Sequence, residues 1–180
     1  MTTVAECAEN RDSERIPVKS SKREDMDGEI PYYGASGCID YVDDYLFDGT
    51  FLLIAEDGKN ILRRTRPISF KITGKSWVNN HAHILDPHDD MSLEYLLNYF
   101  EILKYDPFVT GMDQVKLNQT NLNRIKVPKP SLEEQERIAE VLRSVTKKIE
   151  EEKSRLEQLE QLKRALMQDL LTGKVRVNTD

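Results

Sequence analysis

Cysteine, histidine and tryptophan are scarce in this 180-residue chain, which has two Cys, three His and one Trp. Cys7 and Cys38 form no CxxC pair, so neither a disulfide framework nor a zinc ribbon is expected, and the default setting is a reducing cytoplasm. No run approaches the roughly 20 apolar residues that cross a bilayer, so no membrane partner is expected. The N-terminal residues MTTVAECAENRDSERIPVKSSKRED lack the apolar centre of a secretory signal. Positive charge is also in deficit, with 26 Lys+Arg against 32 Asp+Glu and a net charge of −6. Such a total argues against nucleic-acid binding, where phosphate neutralisation supplies most of the affinity, but where the charges lie matters more than their sum. Only 38% of residues are apolar and 32% are charged, which is thin for a simple globule and suggests an elongated or partner-bound part.

Proline and glycine are distributed unevenly. After Val127-Pro128-Lys129-Pro130 there is no proline, and no glycine before Gly173. Two prolines in three residues disfavour helix before them and mark a boundary. Three parts are expected: residues 1–130, a helix over 131–173 and a tail over 174–180.

Ser131-Leu132-Glu133-Glu134 has the form of a capping box, in which the serine hydroxyl accepts from the N3 amide and Glu134 reaches back. Beyond it, Ile138, Leu142, Val145, Ile149, Leu156, Leu159, Leu166 and Leu170 follow a 4,3 spacing, with Glu152 and Lys163 in two of the slots. This is a heptad seam broken twice. Gly173 stands where a left-handed C-terminal residue is expected. About 40 residues at ~1.5 Å each make a rod of roughly 60 Å, whose apolar stripe needs a partner helix.

Residues 1–130 have the pattern of an α+β domain. The expected strands are Ile30–Tyr33, Cys38–Val42, Thr50–Ala55, Pro67–Ile72, Trp77–Val78 with Ala82–Leu85, and Arg124–Val127. Gly34-Ala35-Ser36-Gly37, Asp48-Gly49, Asp57-Gly58 and Thr73-Gly74 supply the turn signals between them. A helix is expected over Ser92–Tyr105, and a helical turn over Asn118–Asn123.

Signatures of catalysis are weak. Gly74-Lys75-Ser76 resembles the end of a phosphate-binding loop, but Ser69 occupies the place of its first glycine. His81 and His83 would share a face of a strand, yet no distant third ligand stands out, so no metal and no cofactor is expected. Asp48, Asp57 and Lys59 imitate a Mg²⁺ nuclease arrangement, although both aspartates precede glycines, where Asp is common for backbone reasons. Cations and amides are better represented. Lys59, Asn60, Arg63, Arg64 and Arg66 crowd into eight residues, flanked by Lys71, Lys75, Lys116 and Asn118. Arg and Lys address phosphate or guanine and Asn addresses adenine, so these nine residues are the candidate DNA contacts.

Three segments taken in order are more specific. Ile30-Pro31-Tyr32-Tyr33-Gly34-Ala35-Ser36-Gly37, then Trp77-Val78-Asn79-Asn80-His81-Ala82-His83-Ile84-Leu85, then Pro130-Ser131-Leu132-Glu133-Glu134-Gln135, resemble the specificity subunit of type I restriction–modification systems. So does the ending Leu162-Lys163-Arg164-Ala165-Leu166-Met167-Gln168-Asp169-Leu170-Leu171-Thr172-Gly173-Lys174-Val175. The resemblance implies a non-catalytic target-recognition domain for double-stranded DNA followed by a spacer helix. It also implies two partners, a modification subunit that methylates adenine and an ATP-dependent restriction subunit. A full subunit of that family carries the unit twice, with its two helices antiparallel. One unit here implies a half-subunit that pairs with a second copy through Ile138, Leu142, Val145, Ile149, Leu156, Leu159, Leu166 and Leu170. A fragment of a two-unit chain fits the same residues. A coiled-coil adaptor or inhibitor that no longer reads DNA is the other reading. Residues 1–130 hold 16 Lys+Arg and 21 Asp+Glu, so the expected DNA-reading part is itself acidic.

Overall fold

Eight strands and six α-helices are found in the computed structural model, which describes residues 1–111 and 114–178. Positions 179 and 180, in the expected tail, lie outside the described residues. In chain order the elements are β1 (Thr2–Thr3), α1 (Val4–Cys7), β2 (Ala8–Asn10), a 3₁₀ turn (Asp12–Glu14), α2 (Ser20–Arg23), β3 (Ile30–Gly34), β4 (Gly37–Val42) and β5 (Phe47–Ala55). They continue with α3 (Asn60–Arg63), β6 (Ser69–Val78), β7 (Ala82–Pro87), α4 (Leu93–Ile102), α5 (Gln119–Asn123), β8 (Lys126–Val127) and α6 (Leu132–Leu171). Residues 1–139 form one compact unit and 140–180 a second.

The main sheet has the order β2-β7-β5-β6-β3-β4, and a separate pair joins β1 to β8. Its pairs are antiparallel except β3 with β6, where Tyr32 lies beside Trp77 and Tyr33 beside Val78. Side chains alternate across β5 as the strand period of two requires. Leu52 and Ile54 enter a core with Leu96 and Phe100 of α4 and Leu122 of α5. Phe51 and Leu53 pack on the opposite face with Ile72, Val78 and Ile84. The centre of the sheet is therefore buried on both sides, which accounts for the unbroken apolar run Phe51–Ala55.

Two expectations need correction here. Pro67–Ile72 and Trp77–Val78 are not separate strands, because Ser69–Ile72 and Trp77–Val78 both belong to β6 and Pro67 and Ile68 precede it, and Asp48-Gly49 and Thr73-Gly74 are not turns. Asp48 pairs with Lys75 and Gly49 with Gly74 inside one long ladder. Gly74 has a φ of +82°, a conformation that glycine takes without steric cost, so the ladder continues through a residue that normally signals a turn.

Helix α4 is capped by Ser92, whose hydroxyl accepts from the Tyr95 amide, and ends at Ile102, earlier than expected. The last expected strand shortens to Lys126–Val127, because Arg124 closes α5.

The first turns of α6 belong to the domain. Gln135 is buried; its side-chain carbonyl accepts from Ser92 N–H at 2.9 Å and its amide donates to the carbonyls of Asp90 and Pro130. Ile138 packs against the main core and Ala139 is buried, so Ile138 is removed from the exposed seam in which it was expected. The compact unit accordingly continues past Pro130 to Ala139.

From Leu142 onward the apolar stripe is open. Val145, Ile149, Leu156, Leu159 and Leu166 are each about half exposed, as are Leu162 and Met167, which lie beside the heptad seam. The helix ends at Gly173, with a φ of +74°, where Val175 N–H donates to the Asp169 carbonyl. This is the left-handed closure expected there. No helix among the described residues is long and apolar enough to cross a membrane.

Candidate nucleic-acid interface

The segment 57–66 follows the end of β5 and is held by hydrogen bonds and by one buried side chain. Gly58 N–H donates to the Val115 carbonyl, and Ile61 anchors α3 in the core. Asn60 Oδ1 accepts from the Thr65 amide and hydroxyl and from the Arg66 amide, while its Nδ2 donates to the Arg66 carbonyl at 2.9 Å. Arg64 has a φ of 55°, and its guanidinium donates to the carbonyls of Phe100 and Glu101. That guanidinium also lies 5.5 Å from the centre of the Tyr105 ring. The Glu101 carboxylate in turn receives the Ile68 and Ser69 amides and the Ser69 hydroxyl.

Asn60 and Arg64 thus shape the loop, whereas Lys59, Arg63 and Arg66 point to solvent and make no side-chain ion pair among the described residues. Three cations without an ion-pair partner among the described residues, on a braced loop, are an arrangement suited to phosphate. Lys116 joins them, because residue 116 bridges Asp57 in the backbone; its ammonium is 2.9 Å from Glu56. Asn118 caps α5, accepting from the Asn121 amide. Lys71 pairs with Glu94 at 2.7 Å. Lys75 lies over the Tyr45 ring near the far end of β6, about 20 Å from Ser69 at ~3.3 Å per residue.

Acidic charge is segregated from this loop in the sequence. Between Glu24 and Asp57 there are ten acidic residues and no Lys or Arg, and the cations begin at Lys59. The acidic total therefore reflects the stretch from Glu24 to Glu56, whereas the loop 57–66 carries Asp57 as its one carboxylate beside four cations.

Beneath the loop lies a buried ionic cluster. His83 Nδ1 is 2.5 Å from Asp12 Oδ2, and its Nε2 is 2.7 Å from the Leu117 carbonyl. Arg15 reaches Glu56 at 2.7 Å and Asp12 at 3.4 Å. Burial, the largest single influence, pushes both carboxyls up. The bonds from His83 and the Ile84 amide nevertheless hold Asp12 below its ordinary range, and those from Arg15 and Lys116 do the same for Glu56. Donor atoms of Asp12, Glu56 and His83 lie within 4.8 Å of one another, close enough for a cation. Arg15 and Lys116 already supply the positive charge there, so the cluster is a structural clamp between the N-terminal arm, β5 and β7. The exposed His81 is 2.6 Å from Asp57, with its own amide bonded to Asn79 Oδ1.

The nuclease arrangement is not assembled. Asp48 faces Lys75 inside the ladder and Asp57 lies beyond the other end of β5, about 30 Å away at ~3.3 Å per residue. The tyrosine and tryptophan motifs meet in the core. Tyr32 is stacked on Trp77, whose indole N–H donates to the Ile16 carbonyl, and Asn79 N–H donates to the Tyr33 carbonyl. Sequence reasoning missed Asp12 and Arg15, for which no local pattern gave a signal; Gln135 stands in the Pro130–Gln135 segment, and Leu162 and Met167 are legible as apolar residues flanking the heptad seam.

Comparison places this architecture among DNA specificity proteins. Residues 3–161 match the family described as Type I restriction modification DNA specificity domain. The chain belongs to that family. It is 39% identical over 132 residues to the putative type I restriction enzyme specificity subunit S.HindORF215P of Haemophilus influenzae, covering 73% of this chain and 33% of that protein. It is 41% identical over 91 residues to the MjaVIII specificity subunit of Methanocaldococcus jannaschii, covering 49% and 21%. Among solved structures, a chain from a type I R-M system aligns with a TM-score of 0.67 at 16% identity, covering 93% of this chain and 44% of that one. The HsdS subunit from Thermoanaerobacter tengcongensis gives 0.60 at 16%, covering 93% and 43%. Both share the fold of a mixed sheet domain followed by a long helix. The chain spans about a third of the length of the first curated relative and less than half of these structures.

Proposed function

We propose that this chain is one recognition unit of a type I specificity subunit, reading half of a bipartite DNA target and pairing with a second copy through α6. It provides the address, and the chemistry belongs to a modification subunit that methylates adenine and an ATP-dependent restriction subunit in the same cytoplasm. The observation that supports the DNA reading is the braced loop 57–66, with Lys59, Arg63 and Arg66 exposed and in no ion pair among the described residues. Two copies related by a two-fold axis present the same domain twice, so the target is an inverted repeat with a non-specific spacer. The modification subunit supplies further phosphate contacts and offsets the net acidity of the recognition domain. The test is to co-express the chain with its modification subunit and map methylated adenines across a genome. An inverted-repeat motif supports the assignment. Loss of all sequence preference, with the complex intact, would instead establish the adaptor reading, which the acidic total of residues 1–130 favours.

A further inference from the structure

The open stripe on α6 carries two apolar grooves in succession. The first is lined by Val145, Ile149, Glu152 and Leu156, and the second by Leu159, Lys163, Leu166 and Leu170. Each holds one charged residue at a seam position, of opposite sign. Glu152 and Lys163 are exposed, and neither forms an ion pair among the described residues.

We infer that this stripe is complementary to itself in one antiparallel register, in which Glu152 of each copy faces Lys163 of the other. The inference rests on the pairing of copies proposed above and specifies its geometry. Turning the helix about a two-fold axis between Glu157 and Gln158 seats the first groove of one copy on the second groove of its partner. Val145 then meets the partner's Leu170, Ile149 meets the partner's Leu166, and Leu156 meets the partner's Leu159. Every apolar seam residue from Val145 to Leu170 opposes another, and the two charged positions oppose each other. The flanks agree. Lys153 lies beside the partner's Glu160, and Lys148 beside the partner's Asp169, whose counterpart within one chain also receives Lys174 at 3.1 Å. Ile138 falls outside the matched stretch, consistent with its place against the domain core.

Other registers lose this match. A slip of one heptad in one direction sets Glu152 against Leu156 and Lys163 against Val145, and brings Lys153 onto its own copy. A slip in the other direction sets Glu152 against Leu170 and Lys163 against Leu159, and brings Glu160 onto its own copy. A parallel, in-register pair opposes Glu152 to Glu152 and Lys163 to Lys163. A charged pair buried in a seam adds little stability over apolar residues, but a register that leaves either charge unpaired is strongly disfavoured, so the pair selects one alignment.

The test measures self-association of the full chain by sedimentation equilibrium, with helical content followed by circular dichroism. Wild type is expected to be dimeric. Glu152→Lys and Lys163→Glu, each introducing two like-charge contacts per dimer, are expected to raise the dimer dissociation constant about 100-fold or more. The double variant E152K/K163E is expected to return to within about tenfold of wild type, and an equimolar mixture of the two single variants to form a one-to-one heterodimer even if either alone is poorly folded. Single variants that dimerise as tightly as wild type overturn the register and leave the pairing of copies standing. A wild-type chain that is monomeric alone and fills this face with the modification subunit overturns both.

Discussion

Asp12 and His83, 71 residues apart in the chain, are joined by a 2.5 Å hydrogen bond that is almost fully shielded from water. The bond fastens the N-terminal arm to β7 beneath the basic loop. Because the folded Asp12 carboxyl is held below its ordinary value of 3.8, its contribution is complete above that value and disappears as pH falls through the lower folded one. Asp12→Asn should cost about 3–5 kcal/mol at pH 7, the usual result of breaking one side of a buried ion pair. The penalty should shrink at pH values where the wild-type carboxyl is itself protonated. Urea unfolding at a series of pH values checks this, and an equal penalty at all pH values would remove the charge argument.

The braced loop separates two kinds of arginine. Arg63→Ala and Arg66→Ala should leave thermal stability unchanged and each reduce the salt slope of DNA binding by about one, as loss of one phosphate contact requires. Lys59→Ala should behave likewise. Arg64→Ala should instead destabilise the domain by about 1–3 kcal/mol, because the Phe100 and Glu101 carbonyls lose a charged donor. Calorimetry and salt-dependent anisotropy on the complex with the modification subunit distinguish the two classes.

The two thiols should differ sharply. Cys7 is buried, and that burial pushes its thiol up to about 11, while Cys38 is exposed. At pH 7.5 a maleimide should modify Cys38 within minutes and Cys7 only after denaturant is added, a pattern that mass spectrometry of labelled protein resolves directly. Rapid double labelling of the native chain would contradict the packing of α1.

Spacer length should follow the helix. Seven residues inserted after Ala139 add about 10 Å to each of two helices, roughly three base pairs on each side at 3.4 Å per base pair. Methylation mapping should therefore find the same half-sites separated by about six more base pairs. Altered half-sites at an unchanged separation would sever the helix from the spacing.

Much of this organisation is legible in the residues, and the exceptions have physical causes. The hairpin turn at Gly34–Gly37 and the closure at Gly173 obey local rules. Asp48-Gly49 and Thr73-Gly74 carry the same turn chemistry, yet pairing across a long ladder overrides it. The short N-terminal strands depend on distant partners, β8 and β7, and have no periodicity of their own. Ile138 obeys the same heptad as Leu156, but periodicity states only that a face is apolar and not what covers it. The nine candidate contact residues share side-chain chemistry, which does not say whether a side chain is free or bonded within the fold. Only the folded chain separates Asn60 and Arg64, which are bonded internally, from Lys59, Arg63 and Arg66.

The bonds that hold the loop have one further property. Asn60 grips the main chain of Thr65 and Arg66, and Arg64 grips the main-chain carbonyls of Phe100 and Glu101. Main-chain atoms are present whatever side chain a residue carries. The loop is therefore a mount with exchangeable tips, in which the residues at 59, 63 and 66 can be replaced while the frame keeps its shape. Positive charge can be added or removed at those three positions without redesigning the domain that displays it.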